Sequence, residues 1–464
     1  MRSIAFLSVS FLVGACASQT PQLPEGDIPE QWTSINSPSV EQWPSMTWWE
    51  DFHQPELTLY LTQVRQQNLA LGIAQRNLRI AQINLRDAGF DLAPTPNISV
   101  NLSKTATDTL DDGVKRAVAD QASATATLGY SDILKKPGQF QLARATFAAE
   151  QAQQASIALD IYNTAAQSYF QLLFIREQLA VAQQNLDSAE SLLNIIQSKV
   201  DNGTTQPLDA LQQRIAVQQQ RNALASLQQN EFSVLSTLAL LVAKPVADVH
   251  FNGDTLADIV VPDIQPGLPA ALLKRRPDII QAEANLQIAS ANQLLARLAF
   301  LPNISLTGQA GAVSDSLAEL IKSPTVVLSA AASVVETLLD NGARARNNTK
   351  ARLRLENSVA SYRQTALAAF NEVNVLLQNA RLAKQLSDVA KADLHRAEEA
   401  NRIAQIRYQQ GAEPYQTLLT TQNAMFAIRV QSLQTKLERI NTLLALYQAL
   451  GGGWQKNSAT EQLF

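Results

Sequence analysis

Two stretches without glycine or proline dominate this 464-residue chain, 64 residues between Gly138 and Gly203 and 68 between Gly342 and Gly411. With both breakers absent, and at 1.5 Å rise per residue, each run predicts a helix about 100 Å long. Helices of globular domains stop well short of that length. A coiled coil removes the limit, and the first run carries its repeat. Leu172, Leu179, Leu186, Leu193 and Val200 fall seven apart, with Ile175, Ala182, Ala189 and Ile196 three positions further on. That is an a/d seam whose small residues suit close helix approach. Leu376, Ala383, Ala390, Ala397 and Ala404 repeat the spacing in the second run.

Each run ends in a breaker hairpin, "KVDNGTTQPLDAL" around Gly203 and "RYQQGAEPYQTLL" around Gly411, and a return helix follows each. The return helices predicted over Leu208–Lys244 and Tyr415–Leu450 are shorter than their partners. Two further helical segments, Glu56–Ala88 and Asp278–Leu301, make up the difference. By length, the first long helix pairs with its return helix plus Asp278–Leu301. The second pairs with its return helix plus Glu56–Ala88.

Between these helices lie two short copies of one strand signal. "PNIS" occurs at Pro96–Ser99 and again at Pro302–Ser305, and each copy opens an alternation of apolar and polar residues. Strand pairs are predicted at Asn97–Ser103 with Ala122–Tyr130, and at Ile304–Ala310 with Val326–Val334. The first pair flanks a polar loop over 105–120. The second flanks a loop containing "GAVSDSLAELIKS". Each half of the chain therefore reads helix, strand, loop, strand, long helix, hairpin, return helix, an internal duplication with a period near 206 residues. Four amphipathic strands cannot cross a membrane alone, because their edges would be unpaired in hydrocarbon. Three chains would close a twelve-stranded barrel. The expected fold class is mainly α with a transmembrane β-barrel: a long coiled-coil tube plus four strands per chain, internally duplicated and trimeric.

The chain opens "MRSIAFLSVSFLVGACASQT". Ile4–Val13 is too short for a permanent span, and the small residues before Cys16 resemble a bacterial lipobox. Cys16, the chain's one cysteine, would then be the lipidated first residue of the mature protein. The alternative is an ordinary signal peptide cleaved nearby. In bacterial lipoproteins, Ala17 in place of aspartate favours the outer membrane. A Pro-, Ser- and Trp-rich arm follows to Pro55, its tryptophans Trp43, Trp48 and Trp49 expected in grooves between helices. The expected divisions are 1–15 signal peptide, 16–55 lipidated arm, 56–265 first repeat, 266–450 second repeat and 451–464 tail.

The net charge of −4 supplies no basic field for nucleic acid. The three histidines, His53, His250 and His395, lie far apart in sequence and show no metal-ligand spacing. No GxxxxGK[ST] loop for ATP is present, nor a catalytic triad, so neither an enzyme nor a cofactor is expected.

Five local patterns, taken in order, resemble the TolC family of outer-membrane efflux channels, in particular its NodT-type lipoprotein branch. They are "WWEDFHQPEL", "RRPDI" at Arg275–Ile279, "LLDNGARAR" at Leu338–Arg346, "RYQQG" at Arg407–Gly411 and "LYQALGGGW" at Leu446–Trp454. The resemblance implies a homotrimer in the outer membrane and its lipid. It would work with a periplasmic adaptor and an inner-membrane resistance–nodulation–division pump to export drugs or other small solutes. The other classes considered are an exit duct for protein secretion and a coiled-coil structural lipoprotein. By resemblance the hairpin tips, Asn202, Gly203, Gln410 and Gly411, dock the adaptor. The periplasmic gate lies just beyond them. Relatives carry an acid nine positions after the second glycine, where this chain has Thr420, with Thr417 at the sixth position. In the first hairpin Asp209 is six positions after its glycine. Gln416, Thr417 and Thr420 facing Asp209 are the candidate gate. In "RRPD", Pro277 and Asp278 suit a helix start, while Arg275 and Arg276 either pair with a neighbouring chain or serve that helix start alone. "SDILKKPGQF" departs from the "DLFG"-like turn of the family, so that strand-to-helix junction is expected to differ.

Overall fold

The computed structural model describes residues 43–109, 115–204, 206–253, 255–256, 259–262, 271–337, 339–410, 412–452 and 454. In chain order the elements are a 3-10 turn Trp48–Phe52, α1 Pro55–Gln67, α2 Leu69–Phe90, β1 Thr95–Thr109, β2 Lys115–Tyr130, α3 Lys136–Asp201, α4 Pro207–Leu241, α5 Leu272–Arg275, α6 Pro277–Leu298, β3 Asn303–Ser314, α7 Leu317–Lys322, β4 Thr325–Val335, α8 Ala343–Gln409 and α9 Tyr415–Ala449. A further 3-10 turn, Val246–Asp248, follows α4. The two breaker-free runs are single helices of 66 and 67 residues, as the sequence predicts. Along the first, Leu172, Ile175, Ala182, Leu186 and Ala189 are buried. Along the second, Ala383 and Ala404 are.

The chain forms two compact units. One holds the sheet, in Asn77–Gln151 and Gln281–Arg363. The other holds the described parts of Glu25–Arg76, Ala152–Ile280 and Gln364–Phe464. In the first, all four strands form one sheet in the order β1-β2-β3-β4, every neighbour antiparallel. The strands overrun the predicted limits. Within the segment read as a polar loop over 105–120, residues 105–109 and 115–120 continue the ladder, with Thr109 opposite Lys115, because backbone pairing does not depend on apolar side chains. The second loop contains α7, capped by the Ser316 hydroxyl, which accepts from Glu319 N at 3.2 Å. At the divergent junction, Asp132 adopts a positive φ of 53°. Lys135 closes the turn on it, through its backbone to the carbonyl at 2.9 Å and its ammonium to the carboxylate at 3.0 Å. Gly138 lets α3 start close against α6, since a Cβ there would lie 2.9 Å from Leu295.

In the second unit, the core gathers Tyr169, Phe170, Leu172 and Leu173 of α3 with Leu57 and Leu61 of α1, Leu238 of α4 and Leu444 and Tyr447 of α9. Trp48 and Trp49 are buried in it, Trp48 stacked on Tyr447 at 5.1 Å, as the groove reading expects. Trp43 lies under the Arg275 guanidinium, 4.7 Å from the ring centroid. The linker after α4 is held down by charges. Arg176 donates to the carbonyls of Phe251 and Gly253 at 2.8 and 2.7 Å, and Glu56 accepts from Asn252 N and Gly253 N at 2.7 and 3.1 Å.

Two expectations about the short helices are corrected. The segment from Glu56 is not one helix: it breaks at Asn68, with φ −63° and ψ 125°. The Asn68 side-chain oxygen accepts from Ala70 N and Leu71 N at 3.0 and 3.1 Å, an N-cap for α2. Its amide donates to the Leu241 carbonyl at the end of α4, at 2.8 Å. The pairing is also exchanged. α4 ends where α2 begins, and α9 ends where α6 begins, because Arg276 donates to the Ala449 carbonyl at 3.0 Å. Each 35-residue return helix thus meets the start of a 22-residue helix.

Candidate functional site

The first hairpin tip is built by backbone geometry. Gly203, at φ +70°, ends α3 with Gly203 N donating to the Val200 carbonyl at 2.9 Å and Thr204 N to the Lys199 carbonyl at 2.8 Å. This pair of bonds satisfies the last helix carbonyls and turns the chain sharply. The Asn202 amide and the Thr204 hydroxyl add bonds to the Ser198 and Lys199 carbonyls at 2.8 and 2.9 Å. At the second tip Ala412 N donates to the Arg407 carbonyl at 2.8 Å, the same spacing as Thr204 to Lys199, and Gln410 N to Ile406 at 3.0 Å. Gly411 lies outside the described residues. A feature the sequence reading missed closes this tip: Arg407 pairs with Glu413 at 3.1 Å. Its signal was present, an acid and a base placed on either side of the turn.

Asn202, Gly203 and Gln410 are exposed. Asp209 is half-buried in the first turn of α4. Gln416, Thr417 and Thr420 are exposed in the first turns of α9. Two threonine hydroxyls here are committed within the helix, Thr420 to the Gln416 carbonyl at 2.9 Å and Thr421 to the Thr417 carbonyl at 2.8 Å. Among the described residues, no group of histidine, cysteine, aspartate and glutamate is arranged to hold a metal ion, and no helix is long and apolar enough to cross a membrane.

The sheet presents a second surface. Its register sets even-numbered residues opposite even-numbered ones through all three pairings: Ile98 faces Ala126, Ala126 faces Ala310 and Ala310 faces Leu328. Residues directly opposite share a face. Even positions are Ile98, Val100 and Leu102 on β1, alanines and Leu128 on β2, Ile304 and Leu306 on β3, and Val326, Leu328 and Val334 on β4. Odd positions are mainly serine, threonine, asparagine and glutamine. Ile98 is 79% exposed and Leu328 78%. Every residue of β4 is exposed. Past Leu102 the backbone register continues, setting Lys104 opposite Asp120 and Asp108 opposite Arg116.

The "RRPDI" pattern becomes an ionic joint. Pro277 opens α6. The Arg276 guanidinium grips Asp278 through two bonds of 3.0 and 2.7 Å, and it reaches Glu372 of α8 at 2.7 Å. Burial opposes its charge, but the bonds to Asp278 and the charges of Asp278 and Glu372 prevail and hold it more firmly protonated than usual. Of the two readings of Arg276, service at the helix start accords with these bonds to Asp278 and Glu372 of its own chain. "GGG" ends α9 as expected: Gly451 and Gly452 have φ of +88° and +54°, and Gly452 N donates to the Tyr447 carbonyl at 2.8 Å.

The outer membrane efflux protein family model matches residues 60–243 and again 268–452. The chain belongs to this family. It is an outer-membrane efflux channel and not an enzyme, and the expected TolC-like character holds at the level of family and fold. Similar proteins include the pyoverdine export outer membrane protein OpmQ of Pseudomonas putida, 29% identical over 99% of both chains. The probable outer membrane lipoprotein SilC of Salmonella typhimurium is 27% identical over 98% of this chain and 100% of its own. Among solved structures, the Campylobacter jejuni CmeC outer membrane channel superimposes with a TM-score of 0.86 at 20% identity, over 96% of this chain and 97% of its own. The last comparison bears on the fold alone.

Proposed function

We propose that three copies of this efflux channel close a twelve-stranded barrel through the outer membrane, four strands from each. The observation that carries the reading is the sheet, with one apolar face, one polar face, and edges at β1 and β4 that no strand among the described residues covers. Hydrocarbon cannot satisfy open backbone edges, and four strands are fewer than the eight of the smallest single-chain barrels. A stripe of exposed apolar residues along α2, Leu69, Ile73, Ile80 and Ile83, supports a further copy packed beside it. The two matches to one family model and the paired helix lengths support the internal duplication, with repeats over 56–265 and 266–450.

In this reading the channel is the exit of a tripartite system. A pump in the inner membrane supplies the energy, and an adaptor joins it to the tips at Asn202, Gly203, Gln410 and Gly411. Small solutes leave passively. Cys16, which lies outside the described residues, is the lipidated N-terminus after removal of 1–15; 16–55 is the anchoring arm and 451–464 a tail. Native mass spectrometry of detergent-extracted protein should give three chains, each beginning at an acylated Cys16. A folded monomer in lipid overturns the trimer, and an unmodified Cys16 overturns the anchor.

Gln416, Thr417 and Thr420, with Asp209 of the other hairpin, form the constriction. Hydrogen bonds there contribute on the order of 1 kcal/mol each. The paired substitution Thr417→Ala and Thr420→Ala should raise single-channel open probability several-fold in planar bilayers. Unchanged recordings from intact trimers place the gate elsewhere.

A further inference from the structure

Asn68 and Arg276 occupy equivalent joints. Each is the single residue between two helices, Asn68 between α1 and α2 and Arg276 between α5 and α6. Each is extended, with ψ of 125° and 121°, and each donates its backbone N–H to the carbonyl four residues earlier. Each also donates a side-chain N–H to the last helical carbonyl of a return helix, Leu241 or Ala449. Their chemistry differs. The Asn68 joint is neutral and backed by the aromatic core around Tyr169 and Phe170. The Arg276 joint is ionic, ties α6 to the long helix α8 through Glu372, and is backed by a smaller cluster around Phe370 and Leu446. Arg276 itself is 11% exposed in its side chain, whereas Glu372 is 49% exposed and open to salt.

We propose that Arg276 is a positioning residue whose charge holds the α8–α9 hairpin in its resting pose, while the equivalent joint at the end of α4 is closed by the neutral Asn68 and the α3–α4 hairpin keeps its own Arg176–Glu231 pair. The inference rests on the channel reading above. One guanidinium fixes three backbone elements at once: the start of α6 through Asp278, the flank of α8 through Glu372 and the end of α9 through Ala449. Releasing it frees α9 to shift against α8. Asn68 has a different reach, its side chain capping α2 and bonding Leu241. An exposed acid makes the second joint weaken with ionic strength, which a neutral joint does not do.

The test uses full-length trimers in planar bilayers, together with interprotomer distances from spin labels placed by Gln410→Cys or Asn202→Cys in a Cys16→Ser background. Glu372→Gln keeps the side-chain shape and leaves Asp278 and Ala449 on the guanidinium, so folding is retained. Open probability should rise about two- to fivefold, the range set by a half-exposed ion pair. The difference from wild type should shrink between 0.1 and 1 M salt (both about these values), where screening removes the pair in both proteins. Arg276→Gln should give the larger rise, at least about tenfold. Distances at position 410 should broaden and lengthen while those at position 202 stay fixed. A purely structural role would lower thermal stability without a salt-dependent conductance or a one-sided change at the tips. Equal movement of both tips, or wild-type open probability in both variants, overturns the proposal. Wild-type trimers that never conduct overturn the channel reading and this inference with it.

Discussion

Gly451→Ala should destabilise the protein by roughly 3 kcal/mol or more, among the largest effects available to a single methyl group. Two costs combine. The residue has φ +88°, which an L side chain adopts at a cost of about 1–2 kcal/mol. A Cβ there would also be driven into the carbonyl oxygen of Arg275, with its carbon 3.0 Å away. That carbonyl cannot retreat freely, because the next residue, Arg276, is fixed by Asp278, Glu372 and Ala449. Near-ultraviolet circular dichroism during thermal unfolding of detergent-solubilised protein reads the loss. Gly308→Ala is the control, since a Cβ there meets nothing within 4 Å. Equal unfolding of the two variants would remove the close approach of α9's end to α5 as the reason for the glycine.

Leu328→Arg should abolish most membrane-inserted trimer, whereas Gln309→Arg should not. Leu328 sits on the apolar even face, opposite Ala310 in the register. A cation at mid-membrane on a lipid-facing strand costs about 2–4 kcal/mol, and the proposed trimer would incur it three times. Gln309, one position from Ala310, lies on the polar face, where a long charged side chain remains in water. Heat-modified gel mobility and membrane fractionation distinguish inserted from stranded protein. If both variants insert equally, the even face does not meet lipid and the barrel assignment fails.

Much of this architecture is local. The long helices follow from the absence of Gly and Pro. The hairpin tips follow from Gly203 and the turn it permits. The two faces of the sheet follow from an alternation of period two that any observer of Ile98, Val100 and Leu102 can count. Even the Gly451–Gly452 stop could be read, because a positive φ is a property of one residue and its neighbours. Local patterns also carried the family resemblance, and the family model matches the chain.

What tertiary structure alone decided is where partners lie far apart in the chain. Asn68 carries no breaker signature, yet it ends α1, because its amide finds the Leu241 carbonyl 173 residues away. The lengths of the short helices fit more than one pairing, and only the contacts of Asn68 and Arg276 with the ends of α4 and α9 chose between them. β1 and β2 run through lysine, aspartate and arginine because the ladder is made by the backbone, which composition does not reveal. Arg276 looked like half of a helix start. Its three-way grip on Asp278, Glu372 and Ala449 exists because folding brings together groups up to 173 residues distant in sequence, and hydrogen-bond geometry, unlike periodicity, is not written along the chain.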